Sequence, residues 1–237
     1  MFVNKVLRRL KLIIRKAYHK IVPAKPVTKH SAEEWQSFAQ EGEFEFHVGD
    51  TWRTSNDFVN QSRRLFEHFG FSAQGYAGKT VVDLGAGSKL RSKFFEKAKL
   101  VVIEPLADRF RDSIDWCDLN DANQVYSYPA EQKIEELEGQ ADLLVSINVL
   151  DHCYNFETII ANIASYLAPD GIAFLSFDKH EVADEMHPIH VTEEICEAIF
   201  SQAGLEIQKF STGAGSILKT YGHGPYCLNY WLGKRRA

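Results

Sequence analysis

Short apolar runs alternate with amphipathic stretches along most of this chain. Residues 80–84, 100–104, 124–128, 143–148 and 172–177 read as successive strands, each apolar and bounded by turn-forming or charged residues. Helical spacing fills the gaps. Residues 58–69 predict a helix ahead of the first strand, and residues 92–97 one between the first two. In 155–167, Phe156, Ile159, Ile160, Ile163 and Leu167 recur at the steps of a one-sided helix. Thr192, followed by Glu193 and Glu194, opens another helix as its N-cap, and Gly204 closes it. Residues 205–210 and 226–232 predict an antiparallel pair at the end. The expected fold is α/β: a Rossmann-like, doubly wound, mainly parallel seven-stranded sheet with that antiparallel pair at its C-terminal end.

A different pattern occupies the start. Val3, Val6, Leu7, Leu10, Ile13, Ile14, Ala17, Tyr18 and Ile21 recur at steps of three and four, giving an apolar stripe opposite a cationic face. Pro23 and Pro26 end it, so residues 1–28 read as a basic amphipathic helix and linker, 29–79 as a helical lid segment, and 80–237 as the core domain. Such a helix suits an anionic membrane surface, which makes residues 1–22 a candidate peripheral membrane contact. Packing on its own domain, a homo-oligomer contact and organelle targeting are the competing readings.

Charge sharpens that contrast. The net charge is −5, but residues 1–20 hold seven of the 27 Lys and Arg and no acid. The other 20 bases face 32 acids, a net of −12, which argues against a nucleic-acid groove. Cys117, Cys153, Cys196 and Cys227 lack metal-site or C-x-x-C spacing and read as reduced thiols, so the chain is expected to be cytoplasmic, at or near the inner membrane surface. No apolar stretch reaches the length of a membrane span.

The chemistry is concentrated at the first strand's end. Val81-Val82-Asp83-Leu84-Gly85-Ala86-Gly87 runs from a strand into a two-glycine turn, and Glu104 ends the next apolar run. Strand, turn and a carboxylate at the second strand's end form the arrangement that holds an adenosine-containing ligand: the glycines admit backbone N–H groups, and the carboxylate accepts ribose hydroxyls. A dinucleotide fingerprint needs a third small residue where this chain has Leu90. Asp83 would repel a pyrophosphate but suits an ammonium group. S-adenosylmethionine, with an amino-acid end, a sulfonium and no phosphate, meets both conditions.

The chain here resembles the class I S-adenosylmethionine-dependent methyltransferases. Asp83-Leu84-Gly85-Ala86-Gly87 is similar to their first motif and Ile103-Glu104-Pro105 to their ribose-binding strand end. Pro129-Ala130-Glu131 stands at an adenine contact, with Pro129 in place of the usual acid. Residues 141–152 and Tyr166-Leu167-Ala168-Pro169-Asp170-Gly171 resemble the fourth strand with its loop and the turn before the fifth. The resemblance runs from about Phe44 to the C-terminus. It implies S-adenosylmethionine as cofactor, with Asp83, Gly85, Ala86 and Gly87 at the methionine end and Glu104 and Pro105 near the ribose. Ala130 and Glu131 would flank the adenine, Asn148, Val149 and Leu150 line the floor, and Arg53 meet the methionine carboxylate from a lid that includes Phe44, Phe46, Trp52 and Phe58.

Transfer to a hydroxyl or carbon acceptor needs a base. His152, beside Asp151, is the first candidate, and His187 and His190 in the loop after the fifth strand are the others. His180, Glu181, Asp184, Glu185, His187 and His190 lack the spacing of a metal site on a helix, so no metal is expected. Cys153, near the expected site, is a weaker nucleophile candidate. The expected acceptor is a small molecule or a saccharide or lipid-linked compound. A non-catalytic scaffold that binds S-adenosylmethionine and an NAD-dependent oxidoreductase are the alternatives.

Overall fold

A computed structural model describes residues 31–179, 189, 191–213 and 227–235. The basic helix expected in 1–28 lies outside them, as do His180, Glu181, Asp184, Glu185, His187 and His190. Among the described residues no helix is long and apolar enough to cross a membrane.

The described strands form one sheet: β1 (Thr80–Leu84), β2 (Lys99–Ile103), β3 (Gln124–Tyr126), β4 (Ala141–Ile147), β5 (Leu167–Asp178), β6 (Leu205–Thr212) and β7 (Cys227–Lys234). Their order is β3-β2-β1-β4-β5-β7-β6. The first five are parallel, and β7 runs antiparallel between β5 and β6. Central strands are apolar on both sides because both faces are covered. Val82, Leu84 and Leu144 point into one core, under α5 (Phe156–Tyr166) and α6 (Glu193–Gln202). Val81, Leu143 and Val145 point into the other, an aromatic cluster with Phe66, Phe69, Phe94, Phe95, Phe174 and Trp231. Leu65, Phe66 and Phe69 enter it from α3 (Asn56–His68) and the residue that ends it, which ties this helix to the sheet.

Caps follow the expected chemistry. Thr192 accepts from the Ile195 N–H at the start of α6, and Asn155 accepts from Thr158 at the start of α5. Upstream, α1 (Ala32–Trp35), a π-helical turn (Gln36–Gln40) and α2 (Glu41–Gly49) form one helical run. A reciprocal Ser31–Glu34 capping box opens it.

Three elements differ from the expectation. The helix predicted over 92–97 is a single 3-10 turn, Arg91–Phe94. Phe94 and Phe95 both turn into the aromatic core, and Lys97 takes a left-handed conformation (φ 60°) that a helix cannot continue through. A short helix, α4 (Ala107–Ser113), follows β2 where none was predicted. Strand β5 also begins earlier, at Leu167: pairing jumps from Ala141–Leu167 to Leu143–Ile172, so the predicted turn is a bulge inside the strand.

Candidate active site

The strand order reverses between β1 and β4, the place where doubly wound sheets leave a crevice at their C-terminal ends. A cavity of about 370 Å³ opens there. Its first wall is the turn after β1. Gly85 and Gly87 have φ of 77° and 65°, and each is closely overlaid. A Cβ on Gly85 would stand 2.4 Å from both Val149 γ-carbons, and one on Gly87 would stand 2.4 Å from His47 Cε1. Only glycine combines that conformation with that approach.

Glu104, past the end of β2, braces the turn. Its Oε2 accepts from the Gly87 N–H at 2.9 Å and its Oε1 from the Leu106 N–H at 3.0 Å. Each oxygen keeps further acceptor capacity. Burial pushes its carboxyl up to about 7 against those two hydrogen bonds, with Glu43 and Asp83 adding repulsion. Asp83 is 5% exposed, and its Oδ2 has no hydrogen-bond partner among the described residues. Burial raises it to about 6, although Ser92 and Arg91 favour its charged form.

Two guanidinium groups face the same end of the cavity. Arg53 lies 5.5 Å and Arg91 4.4 Å from the centre of the buried Phe58 ring. Arg53 Nε donates to Asp50 at 3.0 Å, while Arg91 Nη1 donates to Gln61 and Ser62. The opposite wall comes from β4 and its loop. Asn148, at φ 58°, holds a left-handed conformation that turns the chain over the cavity, and Val149 and His152 follow. Glu131 lines the cavity and accepts from the Tyr154 and Asn155 N–H groups at 3.0 and 3.1 Å.

The cavity thus brings together Arg53, Asp83, Gly85, Ala86, Gly87, Glu104, Pro105, Ala130, Glu131, Asn148, Val149 and His152. Leu150 is fully buried in the core beneath that wall. Cys153 Sγ donates to the Leu150 carbonyl, and burial pushes its thiol well up, which removes the thiolate a nucleophile needs. Pyrophosphate chemistry finds no helix N-terminus after the glycine turn, because the 3-10 turn replaces it and the Leu90 N–H donates to Asp118 at 2.8 Å.

Sequence reasoning named Phe46 in a lid segment but missed the other residues that close the cavity: Trp35, Gln40, Glu43 and His47, from the same helical run before α3, line it with Phe46, as does Arg91. Trp35 Nε1 donates to the His152 carbonyl at 2.7 Å. His47 Nδ1 lies 2.7 Å from Ser88 Oγ and 3.3 Å from the Ser88 backbone nitrogen, and its Nε2 lies 3.9 Å from Glu43 Oε2. Burial first, then Arg53 and Arg91, lower His47 to about 3 and keep it neutral. The available signal was spacing: 43 and 47 share a helical face, and the π-helical turn brings 35 and 40 onto it.

Asp83 with an open oxygen, two arginines, a carboxylate-braced glycine turn and an apolar slot fit the zwitterionic and adenosyl ends of S-adenosylmethionine. A family model described as a methyltransferase domain matches residues 59–208, more than half of the chain. No curated protein sequence matches it. Many solved structures share its fold. A Burkholderia thailandensis 1,6-didemethyltoxoflavin-N1-methyltransferase, solved with 1,6-didemethyltoxoflavin and S-adenosylhomocysteine, is 17% identical, with 87% of this chain and 92% of that one covered and a TM-score of 0.57. A TehB-like S-adenosylmethionine-dependent methyltransferase from Corynebacterium glutamicum is 17% identical over 86% of this chain and 100% of its own, with a TM-score of 0.51. The mitomycin 7-O-methyltransferase MmcR is 15% identical over 84% of this chain and 68% of its own, at 0.53. Motif order, sheet topology and the family match agree, and the chain belongs to the class I S-adenosylmethionine-dependent methyltransferases.

Proposed function

We propose that the chain methylates a small-molecule acceptor held between the sheet edge and the helical run of residues 31–54. In this reading Asp83 receives the methionine ammonium, Arg53 and Arg91 its carboxylate, and the Gly85–Gly87 turn its backbone. Glu104 serves the ribose hydroxyls through its remaining lone pairs. Ala130 and the wall by Glu131 flank the adenine, and Asn148 and Val149 form the floor. When bound, the cofactor supplies a methyl group on a sulfonium.

The residues do the rest. They align, they exclude water behind Trp35 and Phe46, and they hold charge in a buried site where it acts strongly. One observation carries the reading: Asp83 is buried with an open oxygen at the glycine turn, in the same wall that presents Arg91. Neighbours named for toxoflavin and mitomycin acceptors support a small molecule. A saccharide or lipid-linked acceptor at an inner membrane face rests on residues 1–22, which gain no support from the described residues.

Titration calorimetry with S-adenosylhomocysteine tests the site. Binding is expected in the wild type and about 10-fold or more weaker in Asp83→Asn, the loss of a charge-assisted contact worth about 1.5–3 kcal/mol. Gly85→Ala is expected to weaken it too and to cost about 1–3 kcal/mol of stability from its left-handed backbone alone. No binding by the wild type, or full binding by Asp83→Asn, overturns the assignment.

A further inference from the structure

We propose that Gln40, on the helical run that closes the cavity, is the residue that selects the adenine of the cofactor, its carboxamide oxygen accepting from the 6-amino group. The inference rests on the methyltransferase reading above and deepens it, because it gives the cover a part in choosing the cofactor.

S-adenosylmethionine carries an amino group at each end, the ammonium of its methionine and the amine of its adenine. Among the described residues, two side chains lining the cavity hold a buried polar atom without a hydrogen-bond partner: Asp83 Oδ2 and Gln40 Oε1. Asp83 stands at the glycine turn, the methionine end. Gln40 is 7% exposed, and a carbonyl oxygen kept from water without a donor is costly. The helical run places it toward the other end. His47 overlies Gly87, and Glu43 repels Glu104, which sets Glu43 at the level of the ribose. Trp35 donates to the His152 carbonyl, and its ring lies 5.1 Å from that of Tyr154, whose N–H is bonded to Glu131 on the adenine wall. Gln40 ends the π-helical turn between Trp35 and Glu43, about 4.5 Å along the axis from Glu43 at 1.5 Å per residue. The next residue, Glu41, is held to Arg109 of α4 by two hydrogen bonds, which fixes the backbone there.

The adenine wall has committed its own acceptors elsewhere. Pro129 has no polar side-chain atom, and its carbonyl accepts from the Gln132 N–H at 2.9 Å. Asn162 Nδ2 donates to the Ala130 and Glu131 carbonyls at 2.9 and 3.1 Å. Glu131 turns Oε1 to the Tyr154 and Asn155 N–H groups. A carboxamide brought in by the cover supplies what this wall lacks. Its oxygen accepts from the adenine amine while its NH₂ can donate to the neighbouring ring nitrogen, the pairing by which glutamine reads adenine. Hypoxanthine, with a carbonyl in place of the amine, sets oxygen against oxygen and is disfavoured.

Titration calorimetry of the full-length chain with S-adenosylhomocysteine and with S-inosylhomocysteine, which bears the carbonyl, tests this. The wild type is expected to prefer the adenosyl compound. In Gln40→Leu the ratio of the two affinities is expected to fall about 10-fold, through weaker adenosyl binding with inosyl binding little changed. A merely structural role weakens both alike, so an unmoved ratio overturns the proposal, as does a wild type that binds the two equally. A crystal structure of the wild-type S-adenosylhomocysteine complex decides independently of any variant. Gln40 Oε1 is expected within about 3.2 Å of the adenine amino nitrogen; an amine bonded to Glu131 instead, or to nothing from the helical run, overturns the assignment. Binding of S-adenosylhomocysteine with an unmoved ratio sinks the Gln40 inference alone, whereas no binding by the wild type sinks the site reading beneath it.

Discussion

Asp83 and Glu104 carry carboxyls raised by burial to about 6 and about 7, so each binds a proton more readily folded than unfolded. Stability from such groups is fully present below their unfolded values and is lost as pH rises through the folded ones. Without ligand, the protein is expected to become less stable between about pH 4 and 7. A ligand ammonium beside Asp83 reverses the preference by stabilising the charged carboxylate. S-adenosylhomocysteine should therefore bind more tightly as pH rises over that window and release a fraction of a proton. Calorimetry in buffers of different ionisation enthalpy measures that release; proton uptake, or a pH-independent affinity, contradicts the assignment of Asp83 to the ammonium. Asp83 and the two glycines were legible in the sequence because their chemistry is contiguous along seven residues. Gln40, Glu43 and Arg91 were not, because a glutamine, a glutamate and an arginine among many solvated ones become site residues only through packing that spans the chain.

At the scale of elements, the helical run before α3 acts as a cover pinned at named points. Trp35 bonds the His152 carbonyl, Arg109 pairs with Glu41 through both of its terminal nitrogens, and the Arg109 guanidinium lies 3.8 Å from the Phe44 ring centre. Phe44 stacks in turn on Phe110 of α4. The short α4, invisible in the pattern because only Ala107 and Phe110 are apolar in its seven residues, is thus the element on which the cover rests. Trp35→Phe keeps the ring near Tyr154 but removes one hydrogen bond, a net loss of about 0.5–1.5 kcal/mol. Amide exchange across residues 31–54 is expected to quicken in this variant while exchange in β1 and β4 stays unchanged. Uniform quickening, or none, would show that Trp35 is not the pin. Strands β1, β2 and β4, by contrast, were legible to within two residues, since they are buried on both faces and admit little but apolar side chains, whereas the early start of β5 was hidden by the turn-forming residues of its bulge. The helix expected over 92–97 failed because periodicity cannot register that Lys97 adopts φ 60° or that consecutive phenylalanines share one core.

For the molecule as a whole, strand order decides where chemistry can occur and charge decides where the molecule can go. The reversal between β1 and β4 puts every described polar group of the site at one edge of the sheet, leaving the rest of the body acidic. Residues 1–20 oppose that charge with seven Lys and Arg and no acid. Each basic residue near an anionic surface contributes about 1 kcal/mol, within a Debye length of about 8–10 Å. Attraction of that kind outweighs the repulsion of a body at −12 only if the basic segment reaches the surface first and holds the body beyond the screening distance. Full-length protein is therefore expected to sediment with vesicles containing anionic lipid, not with zwitterionic ones, and to be released by raised salt. Protein lacking residues 1–20 should stay in the supernatant while still binding S-adenosylhomocysteine. Equal sedimentation of both forms would assign the attraction to the body, and sedimentation of neither would leave the basic segment to the acidic helical run, where Glu33, Glu34, Glu41, Glu43 and Glu45 offer the complementary charge.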